Sequence, residues 1–276
     1  MNCEPFDLLS PIAARAAAAN PAAPSDYMEN GVRHCGRCHT AKETVIMGRR
    51  VSCLCSCAEE AYNRAEAERK AKAEAERISK LRVNGIQDPK NRNACFENAD
   101  MTRQLEICWK YVAQWEKAHA QNMGLLFWGA PGTGKTFAAS CIANALIGSL
   151  TPVMQTSFSR ILAEMQADAG RNTTQMLDGL SRFKLLVLDD FGVERQTPYT
   201  LQLMYDVIDT RYKNGQPLIV TTNISLQDIK NPANMVYQRI FERILEMCTP
   251  VQFQGESRRT AIAEEKNKFA AELLLN

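Results

Sequence analysis

From about residue 90 onward, short apolar runs alternate with segments whose apolar residues recur at helical spacing. In "ADMTRQLEICWKYVAQWEKAHA" (99–120) the residues Leu105, Ile107, Cys108, Tyr111, Val112 and Trp115 mark one side of a helix. "GLLFWG" (124–129) reads as a short buried strand and "TFAASCIANALIGSL" (136–150) as a helix. The alternation continues with a strand in "TPVMQTS" (151–157), a helix in "FSRILAEMQAD" (158–168) and a strand in "FKLLVLDDF" (183–191). It closes with a helix over 200–215 stopped by Gly215, a strand in "PLIVTTN" (217–223), a helix over 235–247 and a late strand in "TPVQFQG" (249–255). Continuous apolar strands separated by helices predict a parallel sheet covered on both faces, hence an α/β domain over 90–276.

The first third follows other rules. Residues 58–82 are rich in Ala, Glu, Lys and Arg without Gly or Pro, which predicts one long helix. The pairs Glu66/Lys70, Glu68/Lys72 and Glu76/Lys80 stand in the favourable i,i+4 order. Its apolar face is thin, so a charged linker over 58–89, ended by "VNGIQDP", is expected. Residues 31–57 hold a cysteine-rich module, and residues 1–30 are an Ala/Pro-rich leader with a short helical turn around "IAARAAAA".

Of 276 residues, 45% are hydrophobic and 23% charged, the balance of a globular chain. A net charge of +2 excludes a polycation, so contact with nucleic acid must come from a local patch. No apolar run reaches the roughly 18–20 residues that span a bilayer, and the start lacks a basic segment followed by an apolar core. A cytoplasmic protein without membrane contact is expected. Five of the ten cysteines crowd into 35–57, which without export favours metal ligation over disulfides.

The strongest single signal is "GAPGTGKT" (129–136), placed where an apolar strand ends and a helix begins. G-x-x-x-x-G-K-[ST] needs glycines because the backbone must curl and turn its N–H groups inward around phosphate oxygens. The nucleotide cradle then runs through Gly129, Ala130, Pro131, Gly132, Thr133, Gly134, Lys135, Thr136 and Phe137. Lys135 is expected to reach the β- and γ-phosphates of ATP, and Thr136 to ligate Mg²⁺. "LLVLDD" places Asp189 at the carboxyl end of a central strand, as the second member of the magnesium shell. Asp190 follows as the residue that orients or activates water, although many ATPases carry the longer Glu there. Asn223, ending "LIVTTN", is a candidate partner of that water or of the γ-phosphate. Arg239, Arg243, Arg258 and Arg259 lie beyond the core strands, where guanidinium groups can meet phosphoryl charge or simply cover a surface.

In the cysteine module, Cys35-x-x-Cys38 has the knuckle spacing of a tetrahedral zinc site. Cys53, Cys55 and Cys57 alternate, and a four-coordinate ion needs two of them. Cys55 and Cys57 are favoured because they lead directly into a helix, with Cys53 in reserve and His34 or His39 as substitutes. The stretch between the two halves is expected to fold as a small hairpin around Gly48.

"GAPGTGKT", "LLVLDDFG", "TTN", "RIFERI" and "VQFQGESRR", in this order, resemble the AAA+ ATPases of the DnaC/DnaI helicase-loader type and the related IstB transposition helpers. The likeness covers about residues 30–260, with "LRVNGIQDP" and "ACFEN" preceding the ATPase domain. The resemblance implies an AAA+ P-loop NTPase domain that hydrolyses ATP. By that resemblance Arg243 is the arginine finger, acting on ATP of a neighbouring subunit and so requiring self-association. Arg259 is then the arginine touching the γ-phosphate of its own chain, with Arg258 as fallback. It further implies a DnaB-type replicative helicase bound by the N-terminal region and single-stranded DNA bound by the ATPase domain. Lys184, Arg195, Arg211 and Lys213 are the nearby cations for that DNA. An IstB-like helper of transposition is the alternative; the cysteine module and its helix favour the loader.

Overall fold

Nine strands and ten α-helices make up the described part of the computed structural model, which covers residues 18, 20–46, 48–167, 172–195, 197–232 and 234–274. The chain divides into two compact units, one ending at Glu76 and the other beginning at Arg77. The helical turn expected around "IAARAAAA" lies outside the described residues, save Ala18, which is helical.

The first unit contains two antiparallel hairpins, β1 (Tyr27–Glu29) with β2 (Val32–His34) and β3 (Glu43–Ile46) with β4 (Arg49–Ser52). The second is the hairpin expected around Gly48, whose φ of 77° is a left-handed conformation that glycine adopts without cost. The first hairpin begins inside the segment read as leader. So small a fold has little apolar interior. A buried ion pair, Lys42 Nζ to Asp26 Oδ2 at 2.8 Å, ties its start to its middle. Helix α1 (Ser56–Gly85) then runs longer at both ends than the sequence predicts, and Glu66–Lys70 closes at 2.9 Å.

The second unit is built on a five-stranded parallel sheet in the order β6-β7-β8-β5-β9, formed by β5 (Gly124–Gly129), β6 (Val153–Ser157), β7 (Leu185–Asp189), β8 (Leu218–Thr222) and β9 (Cys248–Phe253). The continuous apolar runs are explained by burial on both faces. Leu125, Phe127, Leu185, Val187 and Ile219 face one core with α2 (Arg103–Ala113), α3 (Trp115–Ala120) and α4 (Lys135–Gly148). Leu126, Leu186, Leu188, Leu218 and Val220 face the other core. That side is covered by α5 (Phe158–Ala167), α6 (Thr173–Ser181), α7 (Pro198–Lys213), α8 (Leu226–Lys230) and α9 (Met235–Met247). Helix α10 (Arg258–Leu274) follows β9.

Both sheet edges carry a stop. Beside β6, Ile86 forms a parallel bridge to Gln155, and Gly85 lies so close to Val153 O that a Cβ there would overlap it at 2.1 Å. At the other edge β9 contains Pro250, paired with Leu126 and without an amide hydrogen to offer. The predicted helix over 99–120 is two helices, because Gln114 leaves helical geometry (φ −109°, ψ 21°) so that Trp115 can enter the core. Ile107, read as core-facing, is exposed.

One cation from the sequence list has a different task. Arg211 is 1% exposed. It donates to the carbonyls of Phe183, Lys184 and Pro217 and to Gln216 Oε1 at 2.7–3.1 Å, so it joins the end of α7 to the starts of β7 and β8 and cannot meet DNA. Replacing it by Met leaves four acceptors, one buried and three partly buried, without this donor. The expected loss is roughly 3–4 kcal/mol, read as a lower urea midpoint at unchanged m-value.

Candidate functional site

The carboxyl ends of β5, β7 and β8 converge on the loop 129–136. A parallel sheet places its crevice at that edge. Gly129 has φ 140° and Gly132 has φ 79°, and a Cβ at Gly132 would meet Ser257 Oγ at 2.1 Å. Gly134, at φ 98°, is the cap from which α4 begins. The loop is therefore curled tightly against the start of α10, whose Arg258 amide donates to Gly132 O at 3.0 Å.

Lys135 is buried and folds back over the loop, donating to Gly129 O at 2.8 Å and Ala130 O at 2.7 Å. Burial holds its ammonium below the usual lysine range, while the Asp190 carboxylate pulls the other way. Thr133 closes the turn on Ala130 O at 2.8 Å. The Thr136 hydroxyl donates to Asp189 Oδ1 at 2.8 Å, so the two residues assigned to a magnesium shell already touch. Thr221 on β8 donates to the same oxygen at 2.6 Å and accepts the Asp190 amide at 2.9 Å. Burial raises the Asp189 carboxyl, and the hydrogen bonds from Thr221 and Thr136 oppose that rise. Asp190 sits at φ 53°, a left-handed turn that Asp tolerates better than most residues.

A cleft of about 450 Å³ opens beside the loop. Pro131, Gly132, Gly134, Lys135, Thr136, Phe137, Asp190, Asn223, Arg258 and Arg259 line it, so most of the residues singled out in the sequence meet in one place. Asp189 lines a neighbouring cleft together with Asp190. The positively curled glycines, the inward Lys135 and the adjoining acids fit a nucleotide triphosphate with its divalent ion.

Arg243 does not line that cleft. It lies on α9 with Nη2 2.8 Å from Asp209 Oδ1 and 2.9 Å from the Tyr205 hydroxyl, its guanidinium centre 4.7 Å from the Tyr205 ring. Lys213, another of the DNA candidates, pairs with the same Asp209 at 2.7 Å, whereas Lys184 and Arg195 are exposed.

Some lining residues escaped sequence reasoning. Lys90, Asn91, Asn93 and Ala94 reach the cleft from a 3₁₀ turn (Pro89–Asn93). The signal was the Asp88-Pro89 pair: Asp88 accepts the Lys90 amide at 3.0 Å and starts the turn. Glu194 was also passed over. Its Oε2 accepts the Gly192 amide at 2.9 Å and fixes the loop after Asp190.

In the first unit, the ligand atoms of Cys35, Cys38, Cys55 and Cys57 all lie within 4.8 Å of one another. Cys53 points elsewhere, its thiol 3.5 Å from Ala41 O, while His34 stacks on Tyr27 and His39 packs against the same ring at a tilt. The Thr40 hydroxyl, 3.1 Å from Cys38 Sγ, is the largest influence bringing Cys38 down to about 5. Cys57, hydrogen-bonded first to Cys55, is pushed up to about 12. Four sulfurs so close together cannot all be thiolates without a cation, and four thiolates at this spacing are the donor set of structural zinc.

Fold and site together define a P-loop, ATP-binding AAA+ domain. The chain belongs to the family of IstB-like ATP binding proteins, whose model matches residues 58–266. It is similar to the replicative helicase loader DnaC of Escherichia coli strain K12, at 26% identity over 180 residues, covering 63% of this chain and 72% of that protein. It is also similar to the replicative helicase loader DnaI of Bacillus subtilis strain 168, at 24% identity over 181 residues, covering 60% and 58%. Among solved structures, the crystal structure of DnaI superposes with a TM-score of 0.55 at 22% identity, over 63% of this chain and 96% of that one. The DnaC helicase loader gives 0.53 at 23%, over 60% of this chain and 100% of that one.

Removal of one thiol tests the cysteine cluster. Cys57→Ser is expected to lose most bound zinc on metal analysis of the purified chain, whereas Cys53→Ser keeps it. Since thiols must be deprotonated to ligate, acidification should release the ion as the sulfurs take up protons.

Proposed function

We propose that the chain is an ATP-dependent loader of a DnaB-type replicative helicase, acting in the cytoplasm during DNA replication. The observation that carries this reading is the gathering of Lys135, Thr136, Asp190, Asn223, Arg258 and Arg259 around one cleft in a chain similar to DnaC and DnaI. In this reading the backbone of 129–136 and Lys135 hold the phosphates of ATP. Thr136 and Asp189 hold Mg²⁺, which supplies charge neutralisation when bound. Asp190 takes a proton from, or orients, the attacking water, and Asn223 helps to position it. Arg259 faces the γ-phosphate from the same chain, with Arg258 beside it.

Arg243 serves the cleft of a neighbouring copy. Its place outside its own chain's cleft, braced by Asp209 and Tyr205, supports that assignment. Self-association through the ATPase domain follows from it. The N-terminal region, folded by zinc on Cys35, Cys38, Cys55 and Cys57, grips the helicase. Single-stranded DNA meets the ATPase domain, where Lys184 and Arg195 remain as exposed cations. The IstB-like family description also keeps a transposition helper in view. Capture of a transposase rather than a helicase by the tagged chain selects that second reading.

Lys135→Ala is expected to abolish labelled ATP binding and turnover. Asp190→Asn should keep binding while turnover falls by roughly 10² or more. Failure of the wild-type chain to bind ATP with magnesium overturns the reading. Arg243→Ala should slow turnover by on the order of 10³ with ATP affinity unchanged. Mixing it with Lys135→Ala should restore part of the activity, since one copy supplies the arginine and the other the cleft; no recovery in the mixture refutes action between copies.

A further inference from the structure

The phosphate assignments leave one wall of the cleft without a task. Lys90, Asn91, Asn93 and Ala94 form it, on and just after the 3₁₀ turn Pro89–Asn93. None of them belongs to the phosphate loop or to the acids at the strand ends. The turn lies outside the sheet, so its distance from the loop must be fixed by other bonds.

Three ties hold it. Before the turn, the Gln87 amide donates to Gln155 O at 3.2 Å, beside the Ile86 bridge to β6. Within it, Arg92 reaches back and donates to Ile86 O at 2.9 Å and Val83 O at 3.2 Å. The third tie comes from α4: Asn144 Nδ2 donates to Asn91 O at 2.8 Å and to Ser140 O at 3.0 Å. Both partners are carbonyl oxygens, so the amide must turn its NH₂ this way. Of the three, this tie alone joins the turn to the helix that carries Lys135 and Thr136.

Thr136, Ser140 and Asn144 recur at every fourth position of α4, along one side of the helix. The Ser140 hydroxyl donates to Thr136 O at 2.7 Å and accepts from Gln155 Nε2 at 2.8 Å. A polar stripe thus runs inward from the cleft on a helix whose Cys141, Ala143 and Ile147 lie in the core. Asn144 is 7% exposed, and its Oδ1 has no hydrogen-bond partner among the described residues. An apolar side chain would avoid that unpaired oxygen, so stability alone does not account for Asn here. What the amide does, and an apolar group cannot, is hold the Asn91 carbonyl at a set distance from the phosphate helix.

Asn91 and Asn93 bring amide side chains to the cleft, each both donor and acceptor. Only Lys90 of the four lining residues carries a charge, so this wall suits a neutral base better than further phosphate. On the nucleotide reading given above, we propose that the turn Pro89–Asn93 receives the base of the bound nucleotide. Asn144, which does not line the cleft, is the positioning residue that sets this wall against the phosphate loop.

Equilibrium binding of ATP and of inorganic triphosphate to the full chain, each with magnesium, separates the two ends of the site. Wild type should bind ATP more tightly than triphosphate. Asn144→Leu, similar in size and without a donor, should weaken ATP roughly tenfold, the effect of one hydrogen bond lost from a partly buried acceptor, and leave triphosphate unchanged. In turnover the same variant should raise KM at nearly constant kcat. Asn91→Ala with Asn93→Ala keeps the Asn91 carbonyl and removes only the amides at the cleft. It should show the same split, and it decides the matter if Asn144→Leu does not fold. The inference fails if either folded variant binds ATP like wild type. It fails equally if ATP and triphosphate weaken together, which assigns Asn144 to the phosphate helix or the fold. Equal binding of ATP and triphosphate by wild type also overturns it while leaving the phosphate site intact. A wild-type chain that binds neither overturns the nucleotide reading and this inference with it.

Discussion

One hydroxyl organises the edge of the sheet that borders the nucleotide cleft. Thr221 donates to Asp189 and accepts from the amide of Asp190, so a single side chain on β8 sets both the carboxylate and the backbone turn that follows it on β7. Thr136, the first-turn residue of α4, completes the chain through the same Asp189 oxygen. Three elements are thereby indexed to each other at one atom. Without that link the loop 129–136 and the acids would be neighbours in topology but free to drift by the ångström that separates a productive site from an idle one.

The rest of the ATP-binding domain supplies the stiffness this arrangement needs. Both faces of the sheet are packed, so strand ends cannot twist independently. Arg211 binds the opposite edge by joining α7 to β7 and β8 through carbonyl acceptors. Asp209, two residues earlier on α7, holds Arg243 and Lys213. Helix α7 thus braces the sheet with one face and, through Asp209 and Tyr205, holds the Arg243 guanidinium of α9 with another.

What the sequence disclosed depended on how local the cause was. The strands at 124–129, 185–189 and 218–222 were legible because burial on two faces demands unbroken apolar runs. The phosphate loop was legible because its glycines answer a backbone requirement visible at fixed spacing. Choosing Cys55 and Cys57 over Cys53 required only the observation that they lead into a helix, and the structure gathers that set. Other features depended on distant partners. The break at Gln114 follows from where Trp115 must pack, and the burial of Arg211 follows from carbonyls 27 and 28 residues away. Lys90–Ala94 entered the cleft through a turn whose only local mark was Asp88-Pro89. The helical pattern of α6 and α10 carried too few apolar positions to stand out.

Pro250 and the Ile86 bridge have a bearing on what the margins of the sheet can accept. A sheet with open margins can recruit a strand from another chain and grow without limit. Here one margin is already occupied and the other is interrupted by an imino acid. Strand addition is disfavoured at both margins, which leaves side chains on helices and loops as the surfaces where geometry can specify a finite count of subunits and allow them to come apart again.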